Sequence, residues 1–127
     1  MVLIIRKLNN RSKNFYVYLG KLFGSRVVEE VTLDRIYDDA DKKWYVYFDR
    51  DHPCAFVSMK GYKIKNVYAE KKQYLVPLLK EVINDEVIIP SVVTKTFESE
   101  YRAAGFKTKE RSVNFVEIEV LQMKGKT

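Results

Sequence analysis

Tyr101-Arg102-Ala103-Ala104-Gly105-Phe106 is the stretch on which the reading of this chain turns. The residues from Thr94 to Ala104 read as a short helix, and Gly105 stops it, because glycine takes left-handed backbone at a helix end without a Cβ penalty. Phe106 to Met123 then turns β-branched and aromatic, with Arg111 to Asn114 as the break. That pattern predicts two strands, or one long bent one.

Working backwards, Val87 to Val93 reads as a strand interrupted by Pro90, which suits an edge, a bulge or a splayed position. Before it, Tyr74 to Asn84 carries Leu75, Leu78, Leu79 and Val82 at i, i+3, i+4 and i+7, one apolar face for packing on a sheet. Pro77 fits only in the first turn of that helix. Further upstream three strands follow one another. They are Trp44 to Phe48, Cys54 to Lys60 and Tyr62 to Ala69, joined by Asp49–Pro53 and by the turn at Gly61. Short connections between consecutive strands imply an antiparallel meander. Alternation along the third puts Tyr62, Ile64, Asn66 and Tyr68 on one face and Lys63, Lys65 and Val67 on the other. Met1 to Leu8 reads as an edge strand, and helical stretches are expected over Ser12–Gly24 and Ser25–Asp39.

The resulting order is strand, two helices, meander, helix, strand, helix, terminal strands. It predicts an α+β, three-layer α/β/α domain with a mixed, mostly antiparallel central sheet and helices on both faces. The helix between the third meander strand and the next strand is a crossover, which implies a locally parallel pair.

Composition narrows the function classes. A chain of 127 residues with 46% apolar content suits a single domain, residues 1–127, with a real core. One cysteine, Cys54, excludes an intramolecular disulfide, and one histidine, His52, leaves too few ligands for a structural zinc site, so no metal is expected. The apolar run Val2–Ile5 falls short of the roughly 7–15 residues of a secretory segment or the ~20 of a membrane span. A cytoplasmic protein without membrane attachment is the expectation. A net charge of +6 fits a phosphorylated cofactor, a nucleic acid or an acidic partner, but the cations are spread among 17 carboxylates. The rings of Trp44, Tyr45, Tyr47, Phe48 and Phe56, near several lysines, read either as a core or as a base-stacking platform. Oligomeric state is not legible.

The element order over essentially the whole chain, with Tyr101, Gly105 and Phe106 between helix and strand, resembles the GNAT-type N-acetyltransferases. The resemblance implies acetyl-coenzyme A as cofactor, an amine on a small molecule or protein as acceptor, and Tyr101 as the acid that returns a proton to the cofactor sulfur. It also implies that Val67, Tyr68 and Ala69, with Lys71, Lys72, Gln73, Tyr74 and Leu75 after them, occupy the place of the cofactor-binding strand and pyrophosphate helix. Here the chain departs from the family. Glu70-Lys71-Lys72-Gln73-Tyr74-Leu75 contains no glycine where the family has a Gly-rich loop, and Phe97 is bulky where the family often has a small residue. The alternative to a divergent acetyltransferase is therefore a GNAT-like module without catalysis, binding a protein or nucleic acid. For a base the resemblance points to Glu29, Glu30 or Asp34 on the second helical stretch; His52 and Cys54 lack partners at motif spacing.

Overall fold

The computed structural model describes residues 3–9, 11, 15, 19, 20 and 42–121. In chain order the elements are β1 (Leu3–Leu8), β2 (Lys42–Asp49), β3 (His52–Lys60), β4 (Lys63–Ala69), α1 (Leu75–Asp85), β5 (Ser91–Thr94), α2 (Glu98–Ala104), β6 (Phe106–Glu110) and β7 (Phe115–Val120). A 3₁₀ turn precedes each helix, Lys72–Tyr74 before α1 and Lys95–Phe97 before α2. The class is α+β. Most of the two expected N-terminal helical stretches lies outside the described residues, as do Glu29, Glu30 and Asp34. Of the first stretch, Phe15 and Leu19 are described, both helical and both buried.

The strands form two antiparallel sheets, β1-β2-β3-β4 and β5-β7-β6. This divides what the sequence suggested would be one mixed sheet. Pro90 supplies the physical reason: it has no N–H for a ladder, so the expected Val87–Val93 strand shortens to Ser91–Thr94. No ladder joins β4 to β5 among the described residues. The two are linked by the Ile89 N–H, which donates to the Tyr62 carbonyl at 2.9 Å at the start of β4.

Both meander hairpins turn in two residues, Arg50-Asp51 and Gly61-Tyr62. The first residue of each is left-handed, Arg50 at φ 57° and Gly61 at φ 62°. β3 starts at His52, two residues earlier than expected, and accommodates Pro53 because the β2–β3 register shifts there. A second irregularity corrects the alternation read along the third strand. Val57 pairs with Val67 but Met59 pairs with Ile64, so two residues of β4 oppose one of β3. The extra residue rotates Ile64 onto the face of Val67, away from Tyr68. The Asn66 N–H donates to Ser58 Oγ at 2.9 Å and the buried Lys42 Nζ donates to Asn66 Oδ1 at 2.8 Å, so side chains satisfy the polar groups at the bulge.

Two cores result, one on each face. The larger holds Leu75, Leu78, Leu79 and Val82 of α1, Tyr101 and Ala104 of α2, and inward residues of both sheets. Each of those aliphatic chains contributes about 1.5–3 kcal/mol by leaving water. The smaller packs Phe15 and Leu19 on Trp44, Val46, Phe48, Phe56 and Tyr68. Helical residues therefore cover both faces of the four-stranded sheet. The rings of Trp44, Tyr45, Phe48 and Phe56 are all interior, which removes them as a base-stacking platform.

Candidate functional site

The division between the sheets places one feature at the end of β4. In an antiparallel strand successive residues turn their backbone groups to opposite edges. The Glu70 N–H donates to the Cys54 carbonyl at 2.9 Å, and the Asn66 N–H also points toward β3. The backbone groups of Val67 and Ala69 are accordingly directed at the other edge, the one that β5 leaves without a ladder. Tied at Tyr62 and sharing no ladder beyond it among the described residues, the two strands make a fork whose unladdered end is Ala69.

α1 begins at the open end of that fork. Its entry, Lys71 to Tyr74, has no side-chain cap, and neither the 3₁₀ turn nor the first turn of α1 holds a carboxylate. The leading N–H groups of a helix carry partial positive charge and lack intrahelical acceptors. Lys71, Lys72 and Gln73 are exposed beside them, with Lys71 Nζ 6.0 Å from the centroid of the Tyr74 ring. Tyr74 is half-buried and meets Tyr47 edge-on at 6.0 Å. Such a turn suits an anion. Without a glycine it would hold one through lysine side chains rather than by close backbone approach.

The structure separates the roles available to the predicted residues. Val67, Tyr68, Ala69 and Leu75 bury their side chains, so they can offer a ligand backbone groups only. Tyr68 also faces the other core, and burial, then the Glu70 charge, push its phenol pKa up. Tyr101 is 1% exposed, with its ring edge-on to Phe106 at 5.8 Å, in the same core cluster as Val67, Ala69 and Phe97. Gly105 ends α2 at φ 116°, as its place in the sequence predicts. His52 Nε2 lies 2.8 Å from Glu70 Oε2 in an exposed pair. Cys54 is buried, its Sγ donates to the Tyr47 carbonyl at 3.1 Å, and burial raises its thiol pKa, the opposite of what a nucleophile needs.

Sequence reasoning missed the strongest electrostatic feature, at the other end of α1. The Glu86 carboxylate is 7% exposed and accepts from Lys43 Nζ at 2.9 Å, from the Tyr45 hydroxyl, and from Lys7 Nζ at 3.1 Å. Tyr45 also approaches Asp85 at 3.0 Å. Burial alone would raise the Glu86 pKa, but the donors outweigh it and bring it down to about 2. Burial and the two carboxylates push the Tyr45 phenol far up. The hint in the sequence is weak: Lys7 and Lys43 resemble ordinary surface lysines until the sheet brings them to the helix end.

Among the described residues there is no cluster of metal-ligating side chains and no helix long and apolar enough to cross a membrane. No protein-family model and no curated protein matches the sequence. Solved structures do match. The apo-form YjaB of Escherichia coli is 15% identical with a TM-score of 0.57, over 93% of this chain and 97% of YjaB. The Campylobacter jejuni N-acetyltransferase PseH, solved with acetyl coenzyme A, is 11% identical with a TM-score of 0.56, over 96% of this chain and 100% of PseH. At these identities the likeness establishes a shared, GNAT-like fold.

Proposed function

We propose that this chain is a divergent small N-acetyltransferase that moves an acetyl group from acetyl-coenzyme A to an amine. The observation that carries the reading is the fork at β4–β5, opening at an uncapped, basic helix entry, in a fold shared end to end with an acetyl-coenzyme A-bound N-acetyltransferase. In this reading the side chains of Lys71 and Lys72 and the N–H groups of Lys72 and Gln73 hold the cofactor phosphates, since the Tyr74 and Leu75 N–H groups already donate to the Lys71 and Lys72 carbonyls. The outward backbone groups of Val67 and Ala69 align its arm and polarise the thioester carbonyl. The acceptor amine attacks that carbonyl carbon, the C–S bond breaks, and the thiolate leaves. Tyr101 supplies the proton to sulfur from its phenol O–H. Saturable heat on titration with acetyl-coenzyme A, and slower acetyl transfer by Tyr101→Phe, are the expected results. No heat and no thermal shift at millimolar cofactor would end the proposal.

One observation favours a second reading, a GNAT-like binding module without turnover for a protein or nucleic acid. Tyr101 is packed into the core against Phe106, and Phe97 is buried beside the same cluster. That module binds its partner without consuming acetyl-coenzyme A in the presence of a broad set of amines. Thiol release above the uncatalysed rate, lost in Tyr101→Phe, decides for the enzyme.

A further inference from the structure

At the closed end of the fork the surface changes character. Tyr62, in the β3–β4 turn, is 62% exposed, and its carbonyl takes the Ile89 N–H, which brings the segment after α1 alongside. That segment presents Val87 at 70% and Ile89 at 41% exposure, followed by exposed Pro90. Three large apolar side chains and a proline thus stand in water around one backbone contact, each forgoing the gain that burial would bring.

The same end of the sheet is cationic. Lys63 and Lys65 flank the buried Ile64, so they leave β4 on the same side, roughly 7 Å apart along the strand. Neither forms an ion pair among the described residues. The nearby carboxylates at the end of α1 are already engaged, Asp85 by Tyr45 and Glu86 by Tyr45, Lys7 and Lys43. Apolar anchors beside lysines that pair with no carboxylate among the described residues call for an occupant with apolar side chains and carboxylates.

We propose that this patch docks a short acidic, amphipathic segment of a partner protein. The partner's apolar side chains cover Tyr62, Val87 and Ile89, while its Asp or Glu residues meet Lys63 and Lys65. Single-stranded nucleic acid fits less well, because the other rings of the meander are interior or, in Tyr47, half-buried, and two of the three large anchors are aliphatic. The surface lies away from the helix entry at Lys71 and does not depend on acetyl transfer.

The test is selection from a random twelve-residue peptide library displayed on phage, against the full chain and against the double variant Tyr62→Ser/Val87→Ser. Peptides mixing apolar residues with Asp and Glu should be enriched on the unmodified chain. Synthesised, they should bind the double variant about tenfold more weakly. Lys63→Glu/Lys65→Glu should also weaken them and should favour the same peptides with Lys in place of Glu. These positions are exposed, so unchanged melting curves should show that both variants fold. Enriched peptides without acidic bias, or with equal affinity for both variants, would overturn the proposal. So would retention of only a dT oligonucleotide or of phosphatidylserine vesicles.

Discussion

The two ends of α1 are built on opposite principles. At its C-terminus, Glu86 is enclosed by Tyr45, Lys43 and Lys7, groups from β1 and β2 brought more than thirty residues across the chain. A carboxylate there opposes the helix dipole, so its burial is tolerated only because three donors surround it. At the N-terminus, the leading N–H groups have no side-chain cap, and lysines stand exposed beside them. One end is closed on itself and fixes the helix to the sheet. The other has no side-chain cap and no carboxylate in its first turn.

The largest effect should come from breaking the closed end. Glu86→Ala leaves Tyr45, Lys43 and Lys7 without their shared acceptor, and we expect a loss of about 3 kcal/mol in urea unfolding. Acid should reproduce part of it in the unmodified chain. The folded-state pKa of about 2 lies below the ordinary 4.5, so the unfolded chain takes up the proton first as pH falls. The contribution is whole above about pH 4.5 and gone once pH has dropped through about 2. An unfolding free energy of Glu86→Ala that still falls as steeply over that range would show that another carboxylate is responsible.

Gly105→Ala comes next. Its φ of 116° lies where L-residues are strained, whereas the added Cβ would meet only Ile83 Cδ1 of α1 at an ordinary 3.6 Å. The cost, about 2 kcal/mol, is therefore conformational rather than steric. Restoring the methyl's space with Ile83→Val should not recover it in a thermal melt. Tyr45→Phe is milder. It removes one donor from Glu86 but keeps the ring in the core, and about 1.5 kcal/mol is the expected loss. A neutral result would mean that Lys43 and Lys7 alone satisfy the carboxylate.

The same contrast governs what could be read in advance. The apolar face of α1, the stop at Gly105 and the break at Arg111–Asn114 were legible because each is a local pattern: a 3.6-residue period, a left-handed cap, a polar interruption between strands. The bulge that turns Ile64 away from Tyr68 was not, because it is stabilised by Ser58 and Lys42 from neighbouring strands. Glu86 was hidden for the same reason, its partners being fixed by register rather than by spacing. Of the candidate site, the position of the helix entry was legible and the side-chain exposures were not. Nothing local to Tyr101 announces that Phe106 covers its ring.

The smallest effect on stability should come from the open end, and there the two halves of the comparison come apart. Lys71→Ala/Lys72→Ala removes exposed side chains that bridge no carboxylate among the described residues, so unfolding should move by less than about 0.5 kcal/mol. If the entry of α1 holds phosphate through these lysines, affinity for acetyl-coenzyme A should nevertheless fall about tenfold, and the remainder should weaken with added salt. Glu86→Ala should do the reverse, lowering the melting temperature while leaving the affinity of the folded protein unchanged. A double lysine variant that binds as well as the unmodified chain would mean that the backbone N–H groups suffice.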